Sequence, residues 1–243
     1  LNKTSTKTIM ITGNSFVYFQ IRGILEAIKN SKTKFSKAFV AAHIGCSLMA
    51  GTFNQKVIDW NCEKIDGSHN DLFNAVKPDV IIHTARLDHI IYDPIAPGDI
   101  SNDIYYKEIE RIILSMAKYT KKLIIIEPSP SLVEQTSITD EKHYKNPLTI
   151  AHEILVNGSL NEYKLSIEEY RNKMYPAWNR VKEAAKKCSN CILIPTENLF
   201  CNETECPLVD FKTKLGRYCD FSHITPKESL KFVPALIKAI DSK

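Results

Sequence analysis

Thr8-Ile9-Met10-Ile11-Thr12-Gly13-Asn14-Ser15 is a short apolar run that stops at a glycine and reaches a serine at the turn into the next element. From Phe16 to Lys29 the apolar residues fall at helical spacing (Phe16, Phe19, Ile24, Leu25, Ile28), so the whole stretch reads as a strand turning into a helix. The alternation continues. Ala38 to Ala42 reads as a second strand, and Pro78-Asp79 opens Val80-Ile81-Ile82, a continuous apolar strand of the kind a parallel sheet buries on both faces. Ile104 to Tyr119 is amphipathic through Ile109, Ile112, Ile113 and Met116, and Lys122 to Glu127 supplies a fourth strand. Ser166 to Lys187 has a helical pattern and Ile192 to Ile194 is the fifth strand. A last helix is expected from Pro226 to Asp241, with Thr225 as its N-cap and Pro226 in the first turn. In Lys56 to Phe73 the Gly67-Ser68 break leaves only the end helical.

Strands separated by helices imply right-handed crossovers and a three-layer α/β/α sandwich around a mostly parallel five-stranded sheet. A chain of 243 residues with 44% apolar content suits one domain over 1–243, with 131–165 as a polar surface insertion of the kind that lines binding sites. The 32 basic and 28 acidic residues are spread along the chain, so no basic stripe for a phosphate backbone is visible and no nucleic-acid partner is expected. No apolar run reaches the roughly 18 to 20 residues that cross a bilayer. With neither a signal peptide nor an initiator methionine at Leu1, the chain reads as excised from something longer.

Six of seven cysteines group into local pairs, Cys46 with Cys62, Cys188 with Cys191, and Cys201 with Cys206, leaving Cys219 over. Structural disulfides are the favoured reading. The competing reading is half a zinc ribbon built on Cys188, Cys191 and Cys201, but the next pair is spaced C-x4-C instead of C-x2-C. A redox C-x-x-C is poorly supported, because Cys191 runs straight into a strand. Sequons at Asn2, Asn157 and Asn202 would accept glycans in the secretory pathway. Cysteines and sequons together point to an extracellular or lumenal location. No metal or cofactor is expected.

In a parallel sheet the functional crevice lies beyond the carboxyl ends of the strands. Ser15, Gly45, Arg86, Pro128 and the loop holding His223 all fall on that rim. Ser15 has two readings: an N-cap for the helix at Phe16, or a nucleophile that needs a base within hydrogen-bond reach. His223 in a polar loop is either solvated or that base, with Asp220 three residues earlier able to hold its Nδ1–H. Their joint occurrence favours a Ser15, His223, Asp220 triad.

These residues carry a resemblance. Gly13-Asn14-Ser15 resembles the first block, usually Gly-Asp-Ser, of SGNH (GDSL-type) hydrolases, and Asp220-Phe221-Ser222-His223 resembles their Asp-x-x-His block. More narrowly, Gly45-Cys46, Pro78 to Arg86, Pro128-Ser129-Pro130 and Leu199-Phe200-Cys201 with Cys206 are similar to the SGNH domain fused to multi-pass acyltransferase-3 membrane domains. The resemblance implies a flavodoxin-like sheet. It also implies an oxyanion hole from the backbone N–H groups of Ser15 and Gly45, and a membrane acyltransferase-3 domain in the same full-length chain. The implied activity is O-acyl transfer, through an acyl-serine, from an acyl donor to the hydroxyl of a carbohydrate, lipid or small metabolite. An esterase is the alternative, as is a silent lumenal binding domain. The third-block asparagine of the hydrolases is absent, since the stretch reads His83-Thr84-Ala85-Arg86-Leu87. Arg86 matches an arginine of the fused subgroup and is read either as an oxyanion-hole group or as a structural ion-pair partner.

Overall fold

The computed structural model describes residues 1–46, 62–87, 98–129, 163–220 and 222–242, with Ile95, His152, Leu155 and Val156; for 63–67 it describes the backbone alone. Five strands form the central sheet: β1 (Thr8–Gly13), β2 (Lys37–Ala42), β3 (Val80–Thr84), β4 (Lys122–Ile126) and β5 (Cys191–Ile194). Their order is β2-β1-β3-β4-β5 and every pairing is parallel. The chain steps outward from β1 to β2, then returns past β1 to lay down β3. This reversal opens a crevice at the carboxyl ends of β1 and β3.

The helices are α1 (Ser15–Asn30), α2 (Cys62–Val76), α3 (Ile104–Lys118), α4 (Ile167–Ala185) and α5 (Val233–Asp241). Strand side chains alternate between two cores, as the two-residue period of a strand requires. Ile9, Ile11, Ile82, Ile124 and Ile126 pack with Val17, Ile24 and Ile28 of α1 and Leu236 and Ile240 of α5. Met10, Ile81, Leu123 and Ile125 face the other way, onto Phe73 of α2, Ile109, Ile113 and Met116 of α3, and Trp178 and Val181 of α4. Each large aliphatic or aromatic side chain so buried contributes about 1.5–3 kcal/mol. A buried ion pair crosses the second layer: Arg180 Nη2 lies 2.5 Å from Asp103 Oδ2, and Asp103 also caps α3 by accepting from the Tyr106 N–H at 2.7 Å.

Four sequence expectations change. α2 is helical straight through Gly67-Ser68, because one interior glycine costs a helix only about 1 kcal/mol and does not end it. The last helix is split into a 3-10 turn (Glu228–Phe232) and α5, because Pro234 lacks the N–H that an α-helix starting at Pro226 would need there. Thr225 is not the N-cap expected of it: that position falls to Lys227, because the turn starts at Glu228, and Thr225 Oγ1 accepts from the Glu228 N–H at 3.3 Å from two residues further back. Leu25, counted in the apolar stripe of α1, is 47% exposed. The favoured pairing of the cysteines is the one present, and it removes the zinc alternative: Cys188–Cys191 and Cys201–Cys206 are disulfides, as is Cys46–Cys62. Cys219 is free and exposed. The Cys201–Cys206 loop carries a short strand, Glu205–Pro207, paired antiparallel with Lys164–Ser166. Most of the insertion expected at 131–165, with Asn157, lies outside the described residues. Among the described residues no helix is long and apolar enough to cross a membrane, and no group of three or more His, Cys, Asp or Glu could hold a metal ion.

Candidate active site

β1 ends where only glycine fits. Gly13 has φ +148°, and a Cβ there would fall 1.7 Å from the Thr84 carbonyl oxygen of β3. That contact lets the two strand ends approach. Asn14 then adopts extended backbone and caps α1, its Oδ1 accepting from the Phe16 N–H at 3.1 Å and from the Arg86 N–H at 3.3 Å. The capping reading of Ser15 is thereby corrected: Asn14 does the capping, and Ser15 is the first helical residue. Its hydroxyl is left for another partner.

That partner is His223. His223 Nε2 is 2.7 Å from Ser15 Oγ, across 208 residues of sequence, and His223 Nδ1 is 2.6 Å from Asp220 Oδ2. The second oxygen of Asp220 accepts from the backbone N–H groups of Ser222 (2.8 Å) and His223 (2.9 Å). Burial alone would push the Asp220 carboxyl up, but hydrogen bonds from the His223 ring and these two N–H groups hold it down at about 2. An ionised carboxylate can only accept, so Nδ1 carries the imidazole proton and Nε2 presents a lone pair to the Ser15 hydroxyl. The imidazole is 15% exposed, and it lies against two rings of α1, Phe19 and Phe16.

The loop is built to hold this geometry. Cys219 N–H donates to the His223 carbonyl (2.8 Å) and Thr225 N–H to that of Arg217 (2.8 Å), pairing 217–219 antiparallel with 223–225. Downstream, Gly23 of α1 lets the 3-10 turn come into contact, its N–H donating to Ser229 Oγ at 3.0 Å. Gly45 has φ 77° in the turn after β2, which the His43 N–H ties to the Gly13 carbonyl at 3.2 Å. Arg86 is half-buried two residues beyond β3, its backbone fastened to Asn14.

With this arrangement in view, the family model of the SGNH domain (fused to AT3 domains) matches residues 1–238. The chain belongs to that family. The fold of this SGNH domain is similar to the periplasmic domain of a lipopolysaccharide acetyltransferase from Salmonella ser. Paratyphi A, at TM-score 0.62 and 13% identity, covering 95% of this chain and 82% of that one. It is also similar to Axe2, an acetylxylan esterase from Geobacillus stearothermophilus, at TM-score 0.56 and 12% identity over 100% and 98% of the two chains. Solved forms of that esterase include catalytic mutants in which a serine, an aspartate or a histidine is replaced by alanine. A further acetyl xylan esterase, AlAXEase, gives TM-score 0.52 and 14% identity over 97% and 100%. No curated protein matches.

Other residues at the rim of the SGNH domain make contacts of their own. Pro128 follows β4 and is held to the segment after β5, its carbonyl accepting from Thr196 Oγ1 at 3.1 Å. Glu127, one residue before it, is a buried carboxyl that the sequence showed only as a strand end. It accepts from the Thr196 N–H (2.6 Å) and the Tyr170 hydroxyl (3.3 Å), and burial pushes it up. Its contacts tie β4 to the segment after β5. Thr84, in the third block, turns its hydroxyl to Gln20 Oε1 (2.7 Å) on α1. His83 is fully buried, and burial holds its imidazole down at about 3. Asn2 and Asn202 are exposed, and each side chain accepts from the Thr of its own sequon.

Proposed function

We propose that this SGNH domain is a serine O-acyltransferase in which Ser15 is the nucleophile, His223 the general base and acid, and Asp220 the group that orients His223. One observation carries the reading: the unbroken hydrogen-bonded chain from Ser15 Oγ through His223 to Asp220, at 2.7 and 2.6 Å. As Ser15 Oγ attacks the acyl carbonyl, its proton moves to His223 Nε2, and Asp220 stabilises the imidazolium. The tetrahedral oxyanion is met by the N–H groups of Ser15 and Gly45, with Arg86 adding positive charge. A single such donor is worth about 3 kcal/mol of transition-state stabilisation. Collapse returns the proton to the leaving group and leaves acyl-Ser15. An acceptor hydroxyl, deprotonated by the same imidazole, then takes the acyl group and frees the serine.

The acyl group is proposed to be acetyl and the acceptor a hydroxyl of a carbohydrate, lipid or small metabolite, since the proteins similar in fold are named for acetyl transfer and acetylxylan hydrolysis. Water as acceptor gives the second reading, an esterase, which the similarity to acetylxylan esterases favours. The domain is proposed to span 1–243 in an extracellular or lumenal compartment, supported by three disulfides and by the exposed sequons at Asn2 and Asn202. An acyltransferase-3 membrane domain in the same full-length chain is proposed from the family. Two assays test this. Labelling by a fluorophosphonate and turnover of p-nitrophenyl acetate should both vanish in Ser15→Ala; equal rates in variant and parent would refute the acyl-serine. Added sugar acceptors should divert acyl groups from water in a transferase and leave product partition unchanged in an esterase.

A further inference from the structure

The geometry points to Phe19 as a positioning residue that holds the His223 imidazole face-on and favours its protonated form during proton transfer. This rests on the reading of Ser15 and His223 given above. Phe19 lies four residues after Ser15, hence on the same face of α1, one turn along. Its ring centroid is 4.1 Å from that of His223 and the planes are 18° apart, a stacked contact. Phe16 meets the same imidazole at 5.3 Å and 59°, tilted, and is itself buried. The two phenylalanines therefore differ in kind. Phe16 packs, whereas Phe19 is half-buried and presents its π face to the imidazole.

The imidazole is thus fixed at three places: one nitrogen on Ser15, the other on Asp220, and a ring face on Phe19. The first two contacts fix the two ends of the ring, and the stack opposes tilting of its plane. A face-on aromatic also discriminates between charge states. When Nε2 takes the serine proton, the positive ring lies over the negative face of Phe19, well inside the ~6 Å range of a cation–π contact. Neutral imidazole gains little from that field, so the contact strengthens in the transition state, which is the condition for it to raise the rate. An aliphatic side chain would cover the same apolar surface without this selectivity.

The test compares Phe19→Leu with Phe19→Trp in the whole domain, beside parent and Ser15→Ala. Phe19→Leu should lower kcat and the fluorophosphonate labelling rate about tenfold, equivalent to about 1.4 kcal/mol, with KM unchanged. Phe19→Trp should restore both to within about twofold. In proton NMR the His223 ring protons of the parent should be shifted upfield by the stacked ring, and Phe19→Leu should remove that shift. Full activity in Phe19→Leu, or equal losses in the leucine and tryptophan variants, would overturn the proposal. A parent as unreactive as Ser15→Ala overturns the acyl-serine reading itself, and with it the proton-transfer part of the proposal, while the NMR shift still decides whether the stack forms.

Discussion

Gly23→Ala pits helix propensity against packing. Gly23 is inside α1, where alanine is favoured over glycine by about 1 kcal/mol. Against that, an added Cβ would lie 2.1 Å from the Ser229 carbonyl oxygen and 2.6 Å from its carbon, both backbone atoms that cannot rotate away. Ordinary contact needs about 3.5 Å, so the 3-10 turn must retreat by more than about 1 Å. The retreat lengthens the Gly23 N–H to Ser229 Oγ bond, worth about 1 kcal/mol, and unseats Phe232 from the core, for an overpacking cost of about 2–3 kcal/mol. The net is about 2–3 kcal/mol of destabilisation, or a Tm lower by about 5–10 °C for a domain of this size. The same displacement travels four residues back, since Ser229 N–H donates to the Thr225 carbonyl two residues beyond His223. A misplacement of about 1 Å at the base costs about a hundredfold in rate. Calorimetry and fluorophosphonate labelling measure the two effects. A Tm equal to or above the parent's would mean that helix propensity wins and that α1 and the turn are not in backbone contact.

Acid should weaken the domain through Asp220. Its native carboxyl sits at about 2, below the unfolded value of about 3.9, so its stabilising contribution is whole above pH ~4 and is lost as pH falls toward 2. Urea midpoints from pH 5 to 2 should fall more steeply in the parent than in Asp220→Asn, and parallel curves would remove Asp220 from the account. The same Asp220→Asn change should cut kcat by up to about four orders of magnitude, because the amide can favour the wrong imidazole tautomer; a loss under tenfold would contradict that role. Arg180→Ala should cost about 2–3 kcal/mol, read as a shift in the urea midpoint, because it empties a buried site while Asp103, partly exposed, keeps the Tyr106 N–H; a cost below about 1 kcal/mol would remove the pair from the account of stability.

The strands were legible because each is a contiguous apolar run, and runs such as Ile81-Ile82 or Ile124-Ile125-Ile126 have nowhere to go but a doubly covered sheet. The cysteine pairs were legible because their partners are near in sequence. What stayed hidden depended on contacts with distant residues. Asn14 and Ser15 are equally good caps by type, and the choice falls to Asn14, whose oxygen also reaches the Arg86 N–H in the segment after β3. The split of the last helix at Pro234 stays hidden because the apolar pattern runs on through it without a break. The three-residue strands Lys164–Ser166 and Glu205–Pro207 carry no periodicity of their own and exist only as each other's partner.

The apolar count along α1 also hid a second pattern, and this pattern explains why the two ends of the chain meet where they do. Ser15, Phe19 and Gly23 are spaced by four, so they stack along one helical face with about 6 Å of rise between neighbours. All three touch the carboxyl-terminal block: a hydroxyl on the His223 nitrogen, a ring on its face, and a bare Cα against Ser229. Each needs a different side chain for a different reason, so no hydrophobic period marks the stripe. The close approach at Gly23 sets the depth at which the 3-10 turn lies on α1, and the five residues from Thr225 to Ser229 carry that depth back to the loop. Without it, His223 has no fixed height above the first turn of α1, and the 2.7 Å hydrogen bond to Ser15 would be left to a loop alone.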